Sequence, residues 1–170
     1  MKSTLIKTAI SSEVYTRTYE ALRNLYLNSK EMQEFHCDNK YNLSNSEYKL
    51  QDYCTIKFAG ARQIGHTTAL CKLLYNEFFN NKGIIFTHSV NAITLLKNNP
   101  QLHIIQNNVS IYSIKQRNIP RFNDLSKIDF IAVDCTSYIN EYTIKEVVYP
   151  LANMCLNAHK NTPFYLFLIQ

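Results

Sequence analysis

From residue 54 onward the chain alternates short, almost wholly apolar runs with segments of helical period. The runs are Cys54-Thr55-Ile56-Lys57-Phe58-Ala59, Ile84-Ile85-Phe86-Thr87, Val109-Ser110-Ile111-Tyr112-Ser113-Ile114, Ile128-Asp129-Phe130-Ile131-Ala132-Val133-Asp134 and Phe164-Tyr165-Leu166-Phe167-Leu168-Ile169. Between them, residues 67–80 carry Leu70, Leu73, Leu74 and Phe78 on one side of a helix. Residues 91–97 read as a short helix stopped by Asn98-Asn99-Pro100, and 144–158 as a helix with Pro150 inside it. Strands separated by helices need crossover connections, so they pair in parallel. Parallel strands are covered on both faces, which is why they read as continuous apolar runs. The expectation is an α/β chain with a mostly parallel sheet flanked by helices. A short strand at Leu102-His103-Ile104-Ile105 is an option before the third run. Gly83 is expected as the glycine that ends the helix over 67–80.

The first fifty residues have another rhythm. Val14, Tyr15, Tyr19, Leu22, Leu25 and Tyr26 recur at helical spacing, so residues 11–35 read as a helix, with Ser11 or Ser12 as its cap. Residues 37–50 are rich in Asn, Ser and Lys and read as a loop or linker. The division is an N-terminal helical segment with linker, 1–50, and a core, 51–170.

Composition bounds the setting. No apolar run approaches the roughly 18 residues that a spanning helix needs. The start, Met1-Lys2-Ser3-Thr4-Leu5-Ile6-Lys7, lacks the apolar core of a secretory signal. The five cysteines, Cys37, Cys54, Cys71, Cys135 and Cys155, include no Cys-x-x-Cys pair. That argues for reduced thiols in a cytoplasm, against a disulfide framework or a zinc knuckle. The 18 basic and 13 acidic side chains leave +5, a mild excess that permits a polyanionic partner without demanding one.

Ligands of parallel sheets bind beyond the carboxyl ends of the strands. There the sequence offers Gly60-Ala61-Arg62-Gln63-Ile64-Gly65-His66-Thr67, followed by Thr68. It fits the phosphate-loop pattern G-x-x-x-x-G-K-[ST] except at His66. A phosphate chain needs inward-pointing N–H groups and a tight turn clear of side chains, which glycines permit. The helix that follows adds its free N–H groups. Thr67 or Thr68 offers a hydroxyl to Mg²⁺. Asp134, at the end of a buried run, offers the carboxylate that holds Mg²⁺ through water.

Residues 54–170 resemble the core of a P-loop NTPase, RecA-like and three-layered, of the class with an extra strand between the phosphate loop and the Walker B strand. Arg62-Gln63-Ile64-Gly65-His66-Thr67-Thr68 is similar to the R-Q-x-G-K-T-T form of the large terminase subunits that package DNA into tailed phages. Thr87-His88-Ser89 stands where helicase-like and terminase-like ATPases place a motif after their second strand. The resemblance implies a viral, phage or mobile-element protein in the host cytoplasm. It implies binding of ATP or another NTP with Mg²⁺, and weak ATPase activity at most. It also implies roles: residues 60–68 hold phosphates, Thr67 and Asp134 serve Mg²⁺, and Gln170 senses the γ-phosphate. The pattern departs at two charges. His66 replaces the loop lysine, and Cys135 replaces the acid after Asp134, which leaves Glu141 as the substitute for orienting water. With the sequence ending at Gln170, a terminase's nuclease domain is not expected.

Two other readings compete. A catalytically dead fold would serve as a protein-interaction or inhibitor module, with a protein partner or a second copy. A nucleic-acid-binding accessory would use Lys115, Arg117, Arg121 and Lys127. A zinc site at His36-Cys37-Asp38 lacks ligand spacing, and a nucleophilic Cys135 with His88 or His66 as base has no fixed geometry behind it.

Overall fold

The computed structural model describes residues 2–38, 49–59, 65–114, 124–134, 139–159 and 162–170. Helix α1 (Lys2–Asp38) leads to a π-helical turn (Leu50–Cys54) and strand β1 (Thr55–Phe58). Next come α2 (His66–Glu77), β2 (Gly83–Thr87), α3 (Val90–Lys97), α4 (Pro100–Ile105) and β3 (Val109–Ser113). A 3-10 turn (Leu125–Lys127) precedes β4 (Phe130–Val133). Then α5 (Glu141–Thr143), a π-helical turn (Ile144–Val148) and α6 (Tyr149–Ala158) lead to β5 (Tyr165–Ile169).

The five strands form one sheet in the order β1-β5-β4-β2-β3, and every pairing is parallel. Strand alternation divides the core into two layers. Ile56, Ile85, Phe130, Ala132, Tyr165, Phe167 and Ile169 face one side, under Leu22 and Tyr26 of α1 and Ala69, Leu70, Leu73 and Leu74 of α2. Ile84, Phe86, Ile131, Val133 and Leu166 face the other, under Val148, Leu151, Cys155 and Leu156. The continuous apolar runs thus have the cause expected of them: β2 and β4 are buried at every residue.

α1 is longer than its periodic stretch and packs on this same core. Ser29 donates to the Tyr53 carbonyl, and Gln33 Oε1 accepts from Phe164 N–H at 3.1 Å, just ahead of β5. Most of the expected linker lies outside the described residues. Its last residue, Leu50, is buried and opens the π-helical turn.

Two local expectations are corrected and a third is refined. Residues 102–105 are helical, because Asn99 Oδ1 accepts from Gln101 N–H at 3.0 Å and Pro100 starts the helix with its φ already set. Gly83 does not end a helix; it opens β2, where a Cβ would come 2.1 Å from Phe130 Cζ. Glycine is there to make room for a buried ring. Residues 144–158 are helical throughout, as expected, but change type along the run. The π-helical turn closes with Tyr149 N–H on the Ile144 carbonyl, and Pro150 falls in the first turn of α6. A helix interior would set its ring against the carbonyl four residues back, and the wide turn relieves that clash.

Cys54, Cys71 and Cys155 are reduced thiols buried in the core. Burial pushes the Cys71 and Cys155 thiols up to about 12, so they stay protonated. No helix among the described residues is long and apolar enough to cross a membrane.

Candidate functional site

The carboxyl edge of the sheet collects the chemistry. Residues 60–64 (Gly60, Ala61, Arg62, Gln63 and Ile64) lie outside the described residues. Both ends of their segment are described: Ala59 after β1, and Gly65 at the start of α2. Gly65 has φ +82°, and a Cβ on it would sit 3.3 Å from Tyr15 Cδ2 of α1. The left-handed turn and the tyrosine each call for glycine. Ala69 N–H reaches the Gly65 carbonyl at 2.8 Å, and no side chain caps the helix. The first N–H groups of α2 therefore have no intrahelical partner.

Thr67, the second residue of that helix, donates its hydroxyl to Asp134 Oδ1 at 2.9 Å. Asp134 is only 3% exposed. Two residues chosen from separate sequence signals are thus in direct contact. Thr68 beside them is exposed. His66 stands edge-on to Phe58, with ring centroids 5.3 Å apart, and its Nε2 is buried without a hydrogen-bond partner. Burial lowers its pKa from the ordinary value, against a smaller upward pull from the Asp134 carboxylate. The ring is therefore neutral at pH 7, where a loop lysine would be a permanent cation.

Beside Asp134 runs a polar row of which sequence reasoning named Thr87 and missed Ser113. Thr87 pairs with Ser113 across β2 and β3, and Phe86 pairs with Val133, so Asp134, Thr87 and Ser113 stand level on adjacent strands. Alternation turns all three toward the α2 side. Thr87 is 0% and Ser113 2% exposed, and neither hydroxyl has a hydrogen-bond partner. Their signal was faint: a hydroxyl residue closing an apolar run, twice. Buried hydroxyls left so are costly unless water or a ligand answers them.

The remaining candidates separate. Gln170 is tied by its N–H to the Phe58 carbonyl at 2.9 Å, at the tip of β5. Glu141 is exposed and pairs with Lys145 at 3.0 Å, which holds its carboxyl below the usual range. Glu141 and Gln170 line one pocket of about 220 Å³, and Asp134 is not part of its wall. Lys127 lies before β4, at the amino end of the sheet, paired with Asp124 at 3.0 Å. Lys115, Arg117, Arg121 and Cys135 lie outside the described residues. Among the described residues no group of three His, Cys, Asp or Glu could hold a metal ion. Compared with protein-family models, curated proteins and solved structures, the chain matches none.

Proposed function

We propose that the carboxyl edge binds a nucleoside triphosphate, ATP in the leading reading, with Mg²⁺, through a divergent phosphate loop. The observation that carries this reading is the Thr67–Asp134 hydrogen bond at the uncapped start of α2. It joins a hydroxyl and a carboxylate, the hard oxygen donors Mg²⁺ takes, beside N–H groups suited to an anion. The strand order supports a P-loop core, since β5 separates β1 from β4.

The donor set fits the ion. Thr67 and Asp134 would hold Mg²⁺, Asp134 through water. Bound there, Mg²⁺ supplies positive charge against the phosphate oxygens. The chain's own groups do the rest: α2 orients the phosphates by its N–H groups, and His66 Nε2 is placed for one hydrogen bond. Hydrolysis is slow or absent, because phosphoryl transfer relies on charge and positioning and two charged groups are missing. His66 is neutral, and the Glu141 carboxylate is paired with Lys145.

Thermal unfolding with Mg²⁺ and ATP, GTP or a slowly hydrolysed analogue tests this. Ligand at about 100 times its Kd adds about 2.7 kcal/mol, a rise of about 5–10 °C for a chain of this size. Thr67→Ala and Asp134→Asn should lose the rise. No rise in the wild-type protein with any nucleotide would overturn the reading in favour of an interaction module.

A further inference from the structure

The pocket that holds Gln170 has a chemistry of its own. It opens at the carboxyl tips of β1 and β5, against the helical run that starts at Glu141, and its wall includes Ala59, where the candidate loop begins. Two of its lining residues are lysines, Lys57 and Lys145. Lys57 interrupts the apolar run of β1 and pairs in register with Leu168, on the face turned toward α6. It is exposed, and among the described residues it makes no ion pair. Lys145 sits in the π-helical turn and meets Glu141 on the surface, with both side chains more than half exposed. One acid therefore faces two cations. π-helical turns are rare and recur at functional sites. Tyr149, the first residue beyond the turn, adds an aromatic side to the pocket.

The site needs such charge. A triphosphate carries several negative charges, and His66, not a lysine, stands at the loop-lysine position. Two other lysines are engaged elsewhere. Lys72 lies over the Tyr19 ring at 4.3 Å, and Lys127 is at the opposite end of the sheet.

We infer that this pocket is an anion subsite that takes the terminal phosphoryl group of a nucleoside triphosphate. Lys57 and Lys145 supply the cationic charge and the Gln170 side chain a hydrogen bond. Lys145 exchanges its surface partner Glu141 for the phosphoryl oxygens, so Glu141 competes with the ligand. The inference rests on the nucleotide reading and deepens it: the site prefers a triphosphate over a diphosphate, by charge drawn from β1 and the π-helical turn.

Calorimetric titration tests it, with ATP, ADP and inorganic tripolyphosphate as probes, each with Mg²⁺. Lys57→Gln and Lys145→Gln change exposed side chains, so the fold is kept. Each should weaken ATP binding about five- to tenfold and leave ADP binding nearly unchanged. Glu141→Gln should tighten ATP binding, by freeing Lys145. An ATP-to-ADP preference unchanged in both lysine variants overturns the inference while the nucleotide reading stands. Tripolyphosphate binding that needs both lysines, with no nucleotide bound, keeps the anion subsite and overturns the nucleotide reading. If no probe binds the wild-type protein, both fall.

Discussion

The two ends of the sheet are built to different standards. At the amino end, polar groups find partners. Asp129 accepts from Lys82 N–H at 2.9 Å and returns its own N–H to the Lys82 carbonyl at 2.8 Å. His159, 5% exposed, bonds the Ile128 carbonyl through Nε2 at 2.8 Å and Thr162 through Nδ1 at 2.7 Å. Gly83 leaves room for the Phe130 ring. At the carboxyl end, α2 starts without a side-chain cap, and Thr87, Ser113 and His66 Nε2 lack partners. One sheet thus separates what stabilises it from what it holds open for something else. Buried polar groups are normally satisfied, and although Gln101 Oε1 and Asn153 Oδ1 are exceptions elsewhere, the three gathered here mark this edge.

Substitutions can break this contrast, and the amino end should suffer most. Gly83→Ala drives a methyl into Phe130, and overpacking of that kind costs about 3 kcal/mol or more. Urea unfolding should show it as a large fall in midpoint. A change under about 1 kcal/mol would mean that the ring has somewhere to go.

The carboxyl end should answer with the opposite sign. Thr87→Val keeps the shape and removes a hydroxyl that has no partner. Without ligand it should stabilise the protein by up to about 1 kcal/mol. A loss of that size instead would show that a bound water already satisfies the group.

The smallest effect concerns pH. His66 has a folded pKa below its ordinary 6.5, so the unfolded chain binds the proton more readily. Its contribution is therefore complete above about pH 6.5 and is lost as the pH falls from there through the folded value. His66→Gln should flatten that acid-side slope in midpoints measured from pH 5 to 8. An unchanged slope would assign it to other groups.

The same contrast explains what could be read from the sequence. The strands were legible because burial on both faces writes an unbroken apolar run. Thr67 and Asp134 were legible because each carries its own local signal, a glycine-flanked helix start and an acid closing a run. The rest depends on register between distant strands. Nothing near Thr87 says that Ser113 will stand beside it. Nothing near Lys57 says that Lys145 shares its pocket. Gly83 was misread because a glycine after a helix has a local explanation, whereas its cause is the ring of its distant register partner, Phe130. Residues 102–105 were misread by alternation alone, with the Asn99-Pro100 helix start in plain view.

The strand order also has a consequence in time. β1 has one neighbour in the sheet, and it is β5: Thr55 pairs with Leu166. β5 is also the bridge between β1 and the block β4-β2-β3. During synthesis β2, β3 and β4 can assemble early, whereas β1 must wait, unpaired, until β5 has been made. Such distant pairings are slow, and an unpaired strand meanwhile invites wrong partners. Insertion of β5 between β1 and β4 closes the sheet, so the pairing of β1 depends on a strand more than a hundred positions later.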